Sequence, residues 1–368
     1  MKKLIITLVA AVSLMASAQD AEKPWQYVDA QQLRIINKSF PDTERTYSRL
    51  PASLKDSVRP DLWNRQECST GIGVRFATNS TRIGVKYQLL WDFHMVHMAD
   101  TGTKGTDLYT FEGDSAWRHV NTTRPYLKDK ENKIVESTYV SNLDGQMHEY
   151  MIYFPLYDGI EQLSVKVDSG AIITPGSLEL IRPDRRIVAY GTSIMQGGCA
   201  SRTGMVMTNI FSRKLNAEVI NLGFSGEAKM DSCVARAINR IPDVDMILLD
   251  PIPNCTEMMC DTLTYGFVKI IADAHPTTPI VFVAGPMYPY TRYDRELGAY
   301  LPRKNEKALA NIRRLQDEGY NNIYWVDSVG LDGPEDDGTV DGIHLTDLGF
   351  VHYANHLLPL LQTLMKPE

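Results

Sequence analysis

The sequence predicts two domains, an antiparallel β-sandwich of jelly-roll-like character followed by a flavodoxin-like, three-layer α/β domain with a five-stranded parallel sheet. Three observations predict this. Up to Ile181 the apolar residues alternate with polar ones in short runs. From Arg185 onward they gather in continuous runs of four or five, and segments of helical period separate those runs.

The chain has 368 residues, 43% hydrophobic and 23% charged, a composition that suits ordinary globular domains and excludes disordered and fibrous classes. Met1 to Ala18 has the form of a secretory leader: Lys2 and Lys3, an apolar run from Leu4 to Met15, then Ala16-Ser17-Ala18. We expect cleavage near Ala18 and a mature protein in the periplasm or outside the cell, because the apolar run is short for a membrane anchor. No later segment is long and apolar enough to span, so no membrane insertion is expected after cleavage. Formal net charge is −7, and loss of Lys2 and Lys3 takes it to −9 with no basic block, which argues against nucleic acid or anionic lipid as a partner. Five cysteines (Cys68, Cys199, Cys233, Cys255, Cys260) are too few and scattered for a disulfide framework; pairing of Cys255 with Cys260 and burial as free thiols both stay open.

In the first domain, assigned to residues 19–182, the strands are exemplified by Gly71 to Phe76, Arg82 to Tyr87 and Leu163 to Val167. Turn residues separate them (Asn79-Ser80, Asp100-Thr101-Gly102, Asp168-Ser169-Gly170), and no long stretch shows helical period. His94 and His97, spaced by three on an expected strand, should face opposite sides, which favours packing over a metal pair. Pro183-Asp184 marks the boundary, and residues 183–368 form the second domain.

Its strands are read at Ile187 to Tyr190, Val219 to Leu222, Met246 to Leu249, Ile280 to Ala284 and Ile323 to Val326. Helical periods occupy Met205 to Leu215, Cys233 to Ile241, Thr264 to Ala274, Lys304 to Glu318 and Leu348 to Leu364, giving five βα units.

Reactive groups of such a sheet collect on loops at the carboxyl ends of the strands. Ser193, in Tyr190-Gly191-Thr192-Ser193, stands just past the first strand, and taken alone it reads as a helix cap before it reads as a nucleophile. Asp341-Gly342-Ile343-His344 precedes the last helix, with the Asp placed to reach the imidazole. A carboxylate there can fix the ring's tautomer, so that the other nitrogen takes a proton from a serine. His344 also admits a packing role, and no cluster with metal-ligand spacing accompanies it in the sequence. Acyl transfer also needs donors at the developing oxyanion. Gly226, leaving strand two, offers a backbone N–H, and Asn254, leaving strand three, a side-chain amide.

Ser193, Gly226, Asn254 and the Asp341/His344 pair, in that order, resemble the four blocks of the SGNH (GDSL-like) hydrolases over the C-terminal half. The resemblance implies Ser193 as nucleophile, His344 as base, Asp341 as orienter, and the N–H of Ser193 with Gly226 and Asn254 as oxyanion hole; it implies no metal or organic cofactor. The chain departs from the family pattern with Gly-Thr-Ser in place of G-D-S and Asp250-Pro251-Ile252-Pro253-Asn254 in place of G-x-N-D, so Asn254 is the member least firmly placed. An α/β-hydrolase elbow would need glycine where Met195 stands. Gly105-Thr106-Asp107-Leu108-Tyr109 resembles the G-x-D-L-Y motif of a sandwich found ahead of some bacterial SGNH domains.

By analogy with such enzymes the expected substrate is a short acyl ester, above all acetyl, on a glycan or a small molecule. Arg202, Tyr288 and Tyr290 are candidate sugar contacts, with packing between the domains as the alternative. Lipase or lysophospholipase activity is the second reading, and a catalytically silent glycan-binding protein the third. No exposed amphipathic lid supports the second, and the intact catalytic set argues against the third.

Overall fold

A computed structural model describes residues 23–113, 116–177, 185–328 and 333–365. The leader and the Pro183-Asp184 boundary lie outside the described residues.

The first eleven strands are β1 (Trp25–Asp29), β2 (Arg34–Ile36), β3 (Gly73–Thr78), β4 (Ile83–Leu89), β5 (Asp107–Glu112), β6 (Ala116–Thr122), β7 (Leu127–Asp129), β8 (Ile134–Val140), β9 (His148–Tyr153), β10 (Ile160–Asp168) and β11 (Ile173–Pro175). They make two antiparallel sheets, β1-β10-β4-β8-β7 and β11-β3-β9-β5-β6 with β2 beside β3. The alternation explains their packing: Val85 and Tyr87 of β4 and Val165 and Val167 of β10 turn inward to meet Val74, Phe76 and Ile152 of the other sheet. Two helices interrupt the sandwich, α1 (Pro60–Gln66) and α2 (Asp100–Thr103). They are too short for a helical period to show, although Pro60 at the first position of α1 is a helix-start residue.

Five strands follow: β12 (Arg186–Gly191), β13 (Glu218–Gly223), β14 (Met246–Asp250), β15 (Ile280–Val283) and β16 (Ile323–Val326), all parallel in the order β13-β12-β14-β15-β16. The helices are α3 (Ser193–Gln196), α4 (Met207–Leu215), α5 (Ser232–Ile238), α6 (Glu257–Thr262), α7 (Thr264–Ala274), α8 (Arg295–Asp317) and α9 (Asp347–Leu364). Both faces of the sheet are covered. Val188 and Tyr190 of β12 join Val234, Phe267 and Ile312 of α5, α7 and α8. Ile187 and Ala189 join Phe211 of α4 and Phe350 and Leu357 of α9. Alternate residues thus enter two separate cores, which is why the strand sequence reads as an unbroken apolar run. The α8 helix starts nine residues before the expected Lys304. Asp294 caps it through Glu296 N and Leu297 N, while its first turns lack an apolar stripe.

The strand order reverses at β12, with its sequence neighbours β13 and β14 on opposite sides. The crevice of such a sheet opens at that point, beyond the carboxyl ends.

Candidate active site

Ser193 stands in that crevice. β12 ends at Gly191, where a Cβ would come 2.8 Å from Met195 Cβ and 3.1 Å from Asp250 O, so only glycine lets the chain turn here. Ser193 then opens α3, whose backbone lies directly on the end of β13: a Cβ on Gly223 would stand 2.3 Å from Gln196 N. Gln196 fixes the next loop in turn, since its Oε1 accepts from Ser225 N at 2.8 Å.

His344 reaches Ser193 from the segment before α9. Asp341 holds that segment, its Oδ1 accepting from Ile343 N at 3.0 Å and His344 N at 2.8 Å, while Oδ2 lies 2.7 Å from His344 Nδ1. Gly342, at φ 85°, makes the turn between them. The other ring nitrogen, Nε2, lies 3.0 Å from Ser193 Oγ. Leu345 O accepts from Cys199 N at 3.0 Å, tying the loop after α3 to the segment that carries the imidazole.

Partial burial opposes ionisation of Asp341, but the His344 and Ile343 donors outweigh it and hold the carboxyl at about 2. The carboxylate is therefore charged at ordinary pH, Nδ1 carries a proton toward it, and Nε2 is left as an acceptor facing a hydroxyl. Such a row can move the serine proton onto the ring.

Gly226 and Asn254 lie in the loops after β13 and β14, the two strands that flank β12. Gly226 is exposed at φ 76° with open space where a Cβ would be. Asn254 closes a short 3-10 turn, Ile252–Asn254, and donates one amide hydrogen to Phe224 O at 3.3 Å. Its second amide hydrogen remains available.

The three candidate sugar contacts fare differently. Tyr288 and Tyr290 stack at 5.8 Å with their planes 6° apart. Tyr290 is half-buried and packs toward Gly342, and Tyr288 is buried. Tyr288 lines a small apolar pocket with Ile194, Ile343, Leu345 and Tyr353, of about 10 Å³. Arg202 takes the alternative, packing between the domains. Its Nη1 donates to Asp107 Oδ2 and to Tyr109 Oη, both at 2.7 Å, so the guanidinium is committed to the junction with the sandwich rather than to a sugar. Asp107 and Tyr109 are two of the fixed positions of the Gly105 to Tyr109 motif, and Asp107 also accepts from Gly204 N at 2.8 Å.

Three further residues, His97, Cys199 and Asp250, lie near this row although the sequence gives them no part in it. His94 and His97 do not lie on a strand: a bridge between Met95 and Met98 closes a tight turn, so the two-residue alternation does not apply. His94 bonds Asp100 at 2.7 Å, whereas the His97 ring lies 5.5 Å from that of His344. Cys199 joins them, and one ligand atom each from His97, Cys199 and His344 lie within 4.8 Å of one another. A cluster that the sequence spacing did not disclose thus surrounds the imidazole. Burial, with the Asp341 charge adding to it, pushes the Cys199 thiol up to about 12. The third residue is Asp250, the wholly buried last residue of β14. Burial raises its carboxyl to about 7 against the bond from Tyr353 Oη at 2.9 Å.

Comparison with known proteins agrees with this architecture. Residues 184–362 match the GDSL-like Lipase/Acylhydrolase family, and residues 25–173 match the family described as the GxDLY N-terminus of Esterase_SGNH_hydro-type. A crystal structure described as a GDSL-like lipase from Bacteroides ovatus is 29% identical with TM-score 0.86, over 93% of this chain and 99% of that one. The salicylyl-acyltransferase SsfX3 of a tetracycline biosynthetic pathway is 18% identical with TM-score 0.73, over 93% and 99%. A family two carbohydrate esterase from Cellvibrio japonicus shares the fold at 12% identity and TM-score 0.57, over 93% and 98%. No curated protein matches the chain.

Proposed function

The α/β domain belongs to the GDSL-like lipase/acylhydrolase family and follows a GxDLY-type N-terminal domain, and on that premise we propose that this esterase removes short acyl groups, above all acetyl, from carbohydrate. The observation that carries the reading is the row Asp341, His344, Ser193, with contacts of 2.7 and 3.0 Å at the carboxyl end of β12.

In this mechanism His344 Nε2 takes the proton of Ser193 as Oγ attacks the acyl carbonyl. The N–H groups of Ser193 and Gly226 and the amide of Asn254 hold the oxyanion. As the tetrahedral intermediate collapses, the imidazolium gives its proton to the departing sugar oxygen. Water, deprotonated by His344, then releases the acid from the acyl-enzyme. Asp341 keeps the ring in one tautomer and steadies its charge throughout. These steps call for no cofactor.

A short acyl chain is supported by the pocket beside Ile194, Ile343 and Leu345, residues adjoining Ser193 and His344. Carbohydrate is supported by the shared fold of the family two esterases. On this reading the protein is exported, with cleavage near Ala18, and acts on glycan or small-molecule esters rather than on nucleic acid or lipid bilayers.

The test compares wild type with Ser193→Ala on nitrophenyl esters of two, four, eight and twelve carbons, then on acetylated xylan and pectin. Activity should be greatest on the two-carbon ester, with acetate released from at least one glycan, and vanish in the variant. Greatest activity on twelve carbons would instead support a lipase or lysophospholipase, and undiminished turnover by Ser193→Ala would remove the nucleophile.

A further inference from the structure

The turn carrying His97 is anchored from both sides. Asp158, wholly buried, accepts from Trp91 N at 3.0 Å and Phe93 N at 2.7 Å, and Met98 is buried among residues of the α/β core that include Cys199 and Leu345. The sandwich therefore presents one imidazole across the domain junction to the imidazole of His344. His97 makes no hydrogen bond among the described residues, and Cys199 spends only its backbone N–H, on Leu345 O. Two nitrogen ligands and one sulfur ligand thus lie within 4.8 Å of one another.

We propose that His97, Cys199 and His344 form an inhibitory site for a thiophilic divalent cation, Zn²⁺ in the first instance. Imidazole with thiolate is the donor set that Zn²⁺ selects, whereas Mg²⁺ and Ca²⁺ require oxygen. Around tetrahedral Zn²⁺ such ligands stand about 3.3–3.6 Å apart, so modest side-chain rotations close the site. Nδ1 of His344 is held by Asp341, so Nε2 is the nitrogen that binds, and with its lone pair on the metal it no longer accepts the Ser193 proton. Binding also expels the Cys199 thiol proton to solvent and leaves the fourth position to water. Both protein domains contribute ligands, so the cation also bridges the junction.

The inhibition rests on His344 acting as the base, but the binding does not, and the experiment separates the two. The mature protein is titrated with Co²⁺ as a spectroscopic substitute for Zn²⁺. One equivalent should produce a thiolate-to-cobalt charge-transfer band, unchanged in Ser193→Ala and absent in Cys199→Ser. His97→Ala, at a half-exposed turn, should weaken cobalt binding by about tenfold or more. Zn²⁺ should suppress hydrolysis of the two-carbon nitrophenyl ester, with recovery on chelation, and His97→Ala should keep metal-free activity while needing about tenfold more Zn²⁺ for the same suppression. No band in the wild type, or a titration unaltered by His97→Ala, would overturn the site. A band in a protein that hydrolyses no ester would leave the site standing and refute the esterase mechanism.

Discussion

Asp107 and Arg202, 95 residues apart and on opposite sides of the domain junction, meet at 2.7 Å, with the carboxylate fully buried. The same carboxylate accepts from Thr122 Oγ1 and Gly204 N, and Tyr109 Oη shares the guanidinium. The motif's Asp and Tyr thus work as a clamp between the domains. Gly204 is part of it, since a Cβ there would come 2.2 Å from Tyr109 Oη.

Removing the cation from this clamp leaves a buried carboxylate without its charge partner. Arg202→Ala should destabilise the protein by about 3–5 kcal/mol while KM for a sugar ester stays near the wild-type value. Denaturant unfolding and steady-state kinetics on the same preparation check this. A raised KM with unchanged stability would return Arg202 to the substrate site.

In the proposed mechanism Asp341 orients the ring, and an amide of the same shape allows the wrong tautomer. Asp341→Asn should therefore fold normally and lose about 10⁴ in kcat. Near-normal kcat together with intact circular dichroism would show that the tautomer is fixed by another group.

Asn254 ends the 3-10 turn Ile252–Asn254 with one amide hydrogen unspent among the described residues, and of the proposed oxyanion donors it departs most from the family spacing. Asn254→Ala should lower kcat by about 10²–10³ with KM nearly unchanged. A loss of only a few-fold would leave the oxyanion to the backbone donors of Ser193 and Gly226.

How much of this was legible in the sequence follows from where each signal is stored. The parallel strands are buried on both faces, so Ile187 to Tyr190 and Met246 to Leu249 announce themselves without reference to any neighbour. Asp341 and His344 are three residues apart, and their contact is equally local. Arg202 reads as a candidate sugar contact because its partners, Asp107 and Tyr109, lie far upstream. The place of His97 is hidden for a related reason: Asp158 holds the start of its segment and a Met95–Met98 bridge closes the turn, and no alternation of residues 93–98 records either. Asp250 falls just outside the strand read at Met246 to Leu249, and Tyr353 of α9, which closes over it, lies 103 residues downstream.

That burial makes Asp250 responsive to pH. Its carboxyl is raised by burial to about 7 from an ordinary value near 4, so the folded protein holds this proton more tightly than the unfolded chain does. Below about pH 4 both states are protonated and no penalty exists. As pH rises toward 7 the unfolded chain releases its proton first, so stability falls through that window and then levels off, by roughly 4 kcal/mol in all. Asp250→Asn keeps an acceptor for Tyr353 Oη and has no proton to lose. Melting temperatures should coincide for variant and wild type near pH 4 and favour the variant by several degrees near pH 8. An identical difference at both values would mean that Asp250 titrates near its ordinary value, and that the bond from Tyr353 compensates for its burial.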